Sequence, residues 1–546
     1  MAEDPKPARL TTMQSLTLVF RSRRTAAVTL QMFFSGMPLG LVWIAIPAWL
    51  ARLDVDLRAI GIITLTQAPW TFKFLWSPLM DRYSPPFLGR KRGWMIVAQA
   101  GLILPMLAMA AISIQPGSPA AEGGVALQWV WVIGALTLAV AFASTVQDIA
   151  IDAYAVEVLR KEEHGIAVGA RTALYRVGMY LAGAIAISLA AELSWAVTLA
   201  GLGLLYLLGM LLSVWSPDVD NPLPPPRSLR DAVWEPLVSL LGRTRALEII
   251  AFLFLYKFGD NIAQALLRPF LVQMGYDDFD VGIATGTIGL VGMIGGTFVG
   301  GLVTGRIGLG RALWLFGVLQ AVSNLGYIWI ASIEPSRPIM YLAMGFETLT
   351  QGTGTGAFFV LLLRLTEKRF SATQYALLSS IFALGRVVTG PMAGFLVDAT
   401  GWRVFFVITI VGSVPGLLFL QRFVPFGAAE PVIAPERRSR KAPPSREGYA
   451  WRVAVGLVVG LAVAAVTSAG LSAIKAYRAD PSGGLPMGDM IAGLLHPDSL
   501  AGWLTSGSVA LFAIFTGLAA AALTYARRVV APEAPPEADG EPGRPC

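Results

Sequence analysis

Two acidic residues one helical turn apart are the first feature of this sequence that could do chemistry. Asp148 and Asp152 lie in the segment STVQDIAIDAY, which follows the apolar run LQWVWVIGALTLAVAFA. At positions i and i+4 of a helix, the two carboxylates share one face about 6 Å apart. Two carboxylates this close in apolar surroundings do not both remain ionised easily, which suits a group that takes up and releases a proton. We therefore predict that Asp148 and Asp152 couple the function of this protein to protons.

Further ionisable side chains lie within other apolar segments, where a charge costs about 2.5–3.5 kcal/mol and commonly marks the path of a substrate or an ion. Arg176 and Lys257 are candidates to face an anionic group of a substrate. Glutamine amides nearby can both donate and accept hydrogen bonds. The predicted substrate-binding residues are Gln147, Arg176, Lys257, Asp260, Glu347 and Gln351.

Pairing within the protein is the alternative interpretation of these charges. Lys257 and Asp260 are three residues apart and share a helix face, and Arg176 could pair with Asp148. Such a buried pair can simply fix the register of two helices. Lys73 and Arg386 lie nearer to the predicted helix ends.

The composition indicates that these residues lie on membrane-spanning helices. The chain has 546 residues, of which 55% are hydrophobic and 14% are charged, whereas a soluble domain is about 25% charged. The apolar residues form runs of roughly 18–28, long enough to cross a hydrocarbon layer as helices. Uniform runs of this length exclude barrel strands. We predict an all-α integral membrane protein.

The charge and cysteine content exclude other classes. The net charge of +7 agrees with Lys and Arg collecting in cytoplasmic loops, so no nucleic-acid partner is expected. One cysteine and two histidines leave no disulfide framework and no metal site of thiolates or imidazoles. We expect no metal, no cofactor and no catalytic residues, and therefore a protein that is not an enzyme. We also expect a monomer.

Fourteen transmembrane helices are predicted, in two sets of six followed by two more. The predicted segments are a cytoplasmic N-terminal segment (1–24), the first six-helix half (25–215), a cytoplasmic Pro-rich linker (216–245), the second half (246–424), a basic cytoplasmic tether (425–450), two extra helices (451–527) and a disordered tail (528–546). The segments ALYRVGMYLAG and ALGRVVTGPMAG occur at corresponding places in the two halves. Internal duplication of six-helix halves is typical of a transporter with a central site.

Basic clusters orient the predicted helices. Arg90, Lys91 and Arg92 follow the second helix, and acidic residues such as Asp277 and Asp278 lie in a loop of the other side. The positive-inside rule then places both termini in the cytoplasm. A glycine-rich stretch, 285–310, superficially resembles a phosphate-binding loop, but small residues at this spacing in an apolar helix favour close helix packing.

The loop SPLMDRYSPPFLGRKRGW resembles the loop signature of the major facilitator superfamily, with Ser77 in place of the first glycine and SPPF inserted. The resemblance implies that this loop locks one conformation of the transporter. The residues that it assigns to this conformational latch are Asp81, Arg82, Arg90 and Arg92. The alternative is a loop that only sets the topology.

Several longer stretches resemble the AmpG-type muropeptide permeases of that superfamily, a branch related to the acetyl-CoA transporters. The stretches are FKFLWSPLMDRYSPPFLGRKRGW, LYKFGDNIAQAL, GFETLTQGTGTGAF and SATQYALLSSIFALGRVVTGPMAGFLVD, together with the opening STVQDIAIDAY. The resemblance covers about residues 25–424 and extends to the two extra helices. It implies proton-driven import of anhydro-muropeptides, the sugar-peptide fragments of cell-wall turnover, across a bacterial inner membrane by two rocking halves. In hosts with an inducible β-lactamase it also implies a link to that induction. A transporter of another large anionic solute, such as an acetyl-CoA-like molecule, is the alternative.

Overall fold

The computed structural model describes residues 22–53, 55, 63–113, 127–220, 223–243, 245–431, 451, 453–462 and 465. Side chains are described at these positions except 64, 65, 127, 128, 384–392, 394, 395, 398 and 399. The predicted tail and the second of the two extra helices lie outside the described residues. So do nearly all of the predicted N-terminal segment and most of the tether.

Every regular element among the described residues is helical, which confirms the all-α prediction. The helices of the first half are α1 (Arg23–Arg52), α2 (63–82), α3 (Arg90–Ile112), α4 (Leu127–Val158), α5 (Lys161–Glu192) and α6 (Trp195–Trp215). Those of the second half are α7 (246–273), α8 (Asp278–Ile307), α9 (Leu309–Ile330), α10 (Arg337–Leu365), α11 (371–400) and α12 (402–423). A short apolar helix, α13 (Val453–Ala462), follows.

Eight of the described helices are long and apolar enough to cross a membrane, so the described residues do not reach the predicted count of fourteen. α2, α7, α10 and α11 are not among the eight, and α2 and α7 are each divided into shorter pieces. α7 consists of Ala246–Leu255, Phe258–Ala265 and Leu267–Gln273. The sequence predicts one continuous helix here, and the difference arises at Tyr256 and Lys257, where the helix turns and Lys257 reaches into the protein interior.

Two boundaries depend on local chemistry. Gly401 separates α11 from α12 with φ 72°, a left-handed conformation that glycine adopts without strain. The sequence predicts the same boundary. The linker after α6 contains a helix that the sequence does not predict, Leu229–Leu241. Ser228 caps this helix, because its Oγ accepts a hydrogen bond from Asp231 N at 3.1 Å.

The chain divides into two compact units. The first comprises Met1–Val233 and Leu247–Val432, and the second comprises Trp234–Ala246 and Ile433–Cys546. Both six-helix halves belong to the first unit, apart from the first residue of α7.

Glycine lets the helices of the first unit approach each other closely. In α8, a Cβ added at Gly296 or Gly300 would collide with the backbone of α10. On the other side of α8, Gly301 and Gly165 of α5 each lie against the backbone of the other. The packing interpretation of the stretch 285–310 is therefore confirmed, since small residues allow backbones to meet.

The two halves meet along two sets of helices. α5 packs on α8, and α11 packs on α2 and α4. Asp81 lies in the last turn of α2, close to the start of α11. We call this end of the helix bundle the Asp81 end.

In each half, the segment that follows the sixth helix packs against the start of the third helix. We call these segments, 216–220 and 424–430, the exit segments. In the first half, Arg92 of α3 donates to Ser216 O at 2.8 Å and to Asp218 at 2.7 Å. In the second half, Arg311 of α9 donates to Gly427 O at 3.0 Å. The repeated arrangement agrees with the predicted internal duplication.

Candidate functional site

A cavity of about 280 Å³ lies between the two halves. It is lined by α1, α2, α4 and α5 on one side and by α7, α8, α10 and α11 on the other. Its described charged residues are Lys73, Asp148, Asp152, Arg171, Arg176 and Lys257. Four cations against two carboxylates favour a solute that carries negative charge.

Asp148 and Asp152 both reach the cavity, but they bind different partners. Asp152 forms an ion pair with Arg171 of α5 and lies 3.7 Å from Lys73 Nζ of α2. Asp148 accepts a hydrogen bond from Ser35 Oγ of α1. The two α4 carboxylates therefore hold α1, α2 and α5 around the first half of the cavity. Arg171 and Lys73 were not predicted as site residues.

Arg176 lies five residues after Arg171 on α5, and its partly buried side chain lines the cavity. It forms no ion pair and no hydrogen bond with any residue that the structure describes, and its buried Nε has no partner there. The alternative pairing of Arg176 with Asp148 is not observed, because Asp148 binds Ser35 instead. The positive charge of Arg176 is therefore available to a ligand.

Lys257 lines the cavity and is also buried, so it contacts groups of the protein interior. Its Nζ donates to Gln351 O at 2.8 Å and lies 3.6 Å from Asp260 Oδ2. When the Gln320 amide is oriented so that each of its atoms meets a complementary group, it fits between them, with its oxygen 2.9 Å from Lys257 Nζ and its nitrogen 3.2 Å from Asp260 Oδ2. The alternative pairing of Lys257 with Asp260 is thus observed. Gln351 lines the cavity, whereas Asp260 lies behind it.

Glu347 and Gln147 also lie outside the cavity lining. Glu347 Oε1 accepts from Gln264 Nε2 at 2.9 Å, and the same nitrogen lies 3.1 Å from Tyr327 OH. Gln147 is fully buried, and neither atom of its amide has a hydrogen-bond partner among the described residues. Both residues lie within helices, as the sequence predicts, but neither is among the residues that line the cavity.

Asp81 joins the two halves at the Asp81 end. Its fully buried carboxylate accepts from Lys91 Nζ at 2.7 Å and from two backbone N–H groups at the start of α11. These belong to Ala372, at 3.2 Å, and Thr373, at 2.8 Å. A carboxylate at a helix N-terminus is stabilised by such donors and by the helix dipole. The predicted latch residue Asp81 therefore binds the opposite half directly.

Glu157, in the last turn of α4, is a second acid in this latch. It accepts from Ser371 Oγ at 2.5 Å and from Arg90 Nη2 at 3.3 Å, and it lies 3.5 Å from Lys91 Nζ. Arg90 also donates to the backbone oxygen of Asp81 at 3.0 Å. Glu157 and Ser371 were not predicted as site residues, although an acidic residue at the end of α4, beside a basic loop, is a usable signal.

Arg82 and Arg92 make other contacts. The Arg82 guanidinium lies 5.4 Å from the centre of the Tyr83 ring. Arg92 holds the first exit segment. In this structure both side chains contact their own half, because the buried position beside Asp81 is taken by Lys91.

The arrangement suits binding and conformational change. Among the described residues no group of three or more His, Cys, Asp and Glu could hold a metal ion. The cavity offers cations, carboxylates, hydroxyls and the aromatic rings of Trp70, Tyr175 and Tyr375. A charged cavity between two halves that are joined at one end can open to that end only if the joining contacts break.

The sequence has well-defined relatives. The family model of the Major Facilitator Superfamily matches residues 28–386. The anhydromuropeptide permease of Escherichia coli K12 is 39% identical over 411 residues, which cover 74% of this chain and 80% of that permease. An uncharacterised protein of Haemophilus influenzae is 31% identical over 401 residues, covering 71% of this chain and 91% of that protein.

Solved structures agree on the fold. A proton:xylose symporter of the major facilitator superfamily has a TM-score of 0.58 at 14% identity, covering 77% of this chain and 98% of that chain. A human organic anion transporter has a TM-score of 0.54 at 15% identity, covering 73% and 99%. At these identities the likeness shows the fold alone.

Proposed function

Because the chain belongs to the major facilitator superfamily and, within it, to the AmpG-type muropeptide permeases, we propose that it imports anhydro-muropeptides together with protons. The import would run from the periplasm to the cytoplasm through the inner membrane of a bacterium, in support of peptidoglycan recycling. The chain is a transporter and not an enzyme. The observation that carries the proposal is the cationic cavity between the halves, in a chain 39% identical to an anhydromuropeptide permease.

The side chains of the cavity fit the chemistry of this substrate. The stem peptide carries carboxylates, and Arg176 is a cation that binds no described residue. A guanidinium can hold a carboxylate through two parallel hydrogen bonds. Trp70 and Tyr375 can stack on sugar rings, and Gln351 and Thr355 can bond hydroxyl and N-acetyl groups.

Alternating access supplies the transport step. The positive-inside rule assigns the Asp81 end, with its basic residues Arg90–Arg92, to the cytoplasm. The contacts of Asp81 and Glu157 hold this end closed, which is the state that receives substrate from the periplasm. The cavity of about 280 Å³ is slightly below the range of about 300–1,000 Å³ that small-molecule sites occupy. We therefore expect the periplasmic side to widen when a disaccharide peptide enters.

Uptake into proteoliposomes tests this function. The purified full chain should accumulate labelled anhydro-muropeptide when the outside is more acidic than the inside, and should stop when a protonophore removes the gradient. Protein-free liposomes are the control. Accumulation of an acetyl-CoA-like anion, with no uptake of anhydro-muropeptide, would replace the proposal with the alternative substrate.

A further inference from the structure

A second group of buried ionisable side chains lies behind the cavity, between α7, α9 and α10. Its acids are Asp260 and Glu347, and its base is Lys257; all three are at most 3% exposed. Lys257 also lines the cavity, as does Gln351, one turn after Glu347 on α10. The group is therefore connected to the cavity through Lys257 and lies one helical turn from it.

The two acids of this group are held differently. Asp260 lies beside Lys257 at 3.6 Å and beside the Gln320 amide nitrogen at 3.2 Å. Glu347 Oε1 accepts from the uncharged amide of Gln264 and the carboxyl group also faces the Tyr327 hydroxyl, whereas Glu347 Oε2 is buried and meets no donor with hydrogen-bond geometry among the described residues. An ionised carboxylate would leave this oxygen charged, desolvated and without a donor, which is costly. A protonated carboxyl group avoids that cost.

Charge balance points to the same residue. If Asp260 and Glu347 were both ionised, a single lysine would face two carboxylates, and a net negative charge would be buried. If Glu347 is neutral, Lys257 and Asp260 balance each other. The titratable groups that face Glu347 are Asp260 and Lys257 of α7 and Tyr327 of α9. On the α8 side, Gly292 packs against the turn of α10 that carries Glu347, and it contributes no charge.

The carboxylates in the first half of the cavity have no such imbalance. Asp152 binds Arg171 and lies near Lys73, and Asp148 accepts from Ser35. Both of these cations lie at Asp152, and the hydrogen-bond donor to Asp148 is the uncharged Ser35 hydroxyl, but as a group the two cations balance the charge of the two carboxylates. Neither carboxylate needs a proton to keep the first half free of excess negative charge.

A buried amide next to the second group is also without partners. Asn324 is fully buried, and neither its Oδ1 nor its Nδ2 bonds to a described residue. At i+4 from Gln320 and i−3 from Tyr327, it shares their face of α9. A buried polar group of this kind usually binds water, and water beside Glu347 would give a proton a route.

We propose that Glu347 takes up and releases the transported proton, in the polar pocket that α7, α9 and α10 form behind the cavity. The proposal rests on the proposed function in one respect, namely that protons drive import. It replaces the prediction from sequence that Asp148 and Asp152 carry the proton. When Glu347 loses its proton, Lys257 gains a second carboxylate partner in competition with Gln351 O, and the charge state of Glu347 is thereby linked to the cavity wall.

Infrared spectroscopy of the purified full chain tests the proposal without any substrate. At pH 7 the wild-type protein should show the C=O band of a protonated, buried carboxyl group. The band should be lost in Glu347→Gln and kept in Asp148→Asn, Asp152→Asn and the exposed control Glu334→Gln. If Glu347→Gln cannot be purified, Glu347→Asp should shift the band. A band that survives unchanged in the Glu347 variants, or disappears in an Asp148 or Asp152 variant, overturns the assignment.

Transport measurements provide the second arm. In proteoliposomes, Glu347→Gln should exchange labelled anhydro-muropeptide within about twofold of wild type, yet accumulate none above equilibrium and take up no protons with it. Accumulation by Glu347→Gln that still follows the pH gradient overturns the proposal, as does accumulation by wild type that follows a sodium gradient instead. If wild type transports no anhydro-muropeptide at all, the proposed function fails, while the infrared result still decides the role of Glu347.

Discussion

Arg171 and Arg176 lie five residues apart on α5 and both reach the cavity, yet their environments differ. Arg171 is bound to Asp152, so its charge is compensated within the protein. Arg176 binds no described residue. The difference separates an arginine that maintains the cavity from one that can bind a substrate carboxylate.

Replacing Arg176 should weaken substrate binding and leave the fold intact. Arg176→Gln removes a charge-assisted hydrogen bond to the substrate worth roughly 1.5–3 kcal/mol, which corresponds to about 10- to 150-fold in the dissociation constant. It leaves no described acid unpaired, so the melting temperature should change little. Binding of labelled anhydro-muropeptide to the purified protein measures the effect.

Arg171→Gln is the matched control and should behave in the opposite way. It breaks a largely buried pair with Asp152, and such a loss costs about 3–5 kcal/mol when one partner remains charged. We therefore expect poor expression or a much lower melting temperature. Equal stability of the two variants would contradict the distinction between the arginines.

Asp81→Asn should weaken closure of the Asp81 end. An asparagine has one acceptor oxygen, whereas Asp81 uses both oxygens to bind Lys91 and two N–H groups of α11. Losing one bond to a charged group costs roughly 1.5–3 kcal/mol, so the end should open more often and accumulation should fall severalfold. Asp218→Asn is the control, because Asp218 is an exposed acid at the same end whose one ion-pair partner among the described residues is Arg92 of its own half.

Thiol labelling can detect this opening. With Cys546 replaced by serine, a cysteine introduced at the cavity residue Ser379 should react faster with a reagent added from the cytoplasmic side in Asp81→Asn. Unchanged labelling together with normal uptake would mean that the loop only sets the topology.

The sequence predicts side chains of the right kind for the site but not their partners. Asp81 and Arg90 could be identified because their loop pattern is local. Glu157 and Ser371, 214 positions apart, could not, because their contact exists only when the two halves meet. The same holds for Glu347, because the lack of a hydrogen-bond donor to its Oε2 can be seen only when the surrounding helices are in place.

At the scale of the helix, the contact between α5 and α8 should be sensitive to added volume. Gly165→Leu would force the two backbones apart near the Asp81 end, where Gly165 meets Gly301. Overpacking of this kind costs about 1–3 kcal/mol. The closed state, in which the two backbones are in contact, is therefore destabilised relative to the open state. We expect reduced uptake and faster labelling of the cysteine at 379.

Gly305→Leu is the matched control for this helix pair. Gly305 lies one turn beyond Gly301 on α8, and a Cβ there would meet nothing within 4 Å. Uptake by this variant should stay near that of wild type. A loss as large as that of Gly165→Leu would show that α8 tolerates no bulk anywhere along this turn.

Helix positions were predictable because apolar runs and basic loops are local signals. The boundary at Gly401 was found in this way. The break of α7 at Tyr256 and Lys257 was not, since Lys257 there bonds to Gln351 of α10, which is distant in sequence. The linker helix was obscured by the prolines before it, although Ser228 marks its start.

At the scale of the whole molecule, the orientation in the membrane can be measured directly. In a cysteine-free background, a cysteine at Asp278 should react with an impermeant reagent from the periplasm, because this loop is acidic and exposed. A cysteine at Arg440, in the tether outside the described residues, should react only after the membrane is opened. Reaction at 440 in intact cells would reverse the topology.

The exit segments bear on whether this transporter could exist as two polypeptides. Each half carries its own exit segment, which Arg92 or Arg311 binds within the same half. A gene divided between the codons for Pro224 and Pro225 would therefore leave both sets of contacts intact. The two halves still meet through Asp81, Glu157 and the α5–α8 pair, none of which needs a continuous chain. Gene fission at the linker is accordingly compatible with assembly, and fusion of two ancestral six-helix genes at this point would have required no new contact.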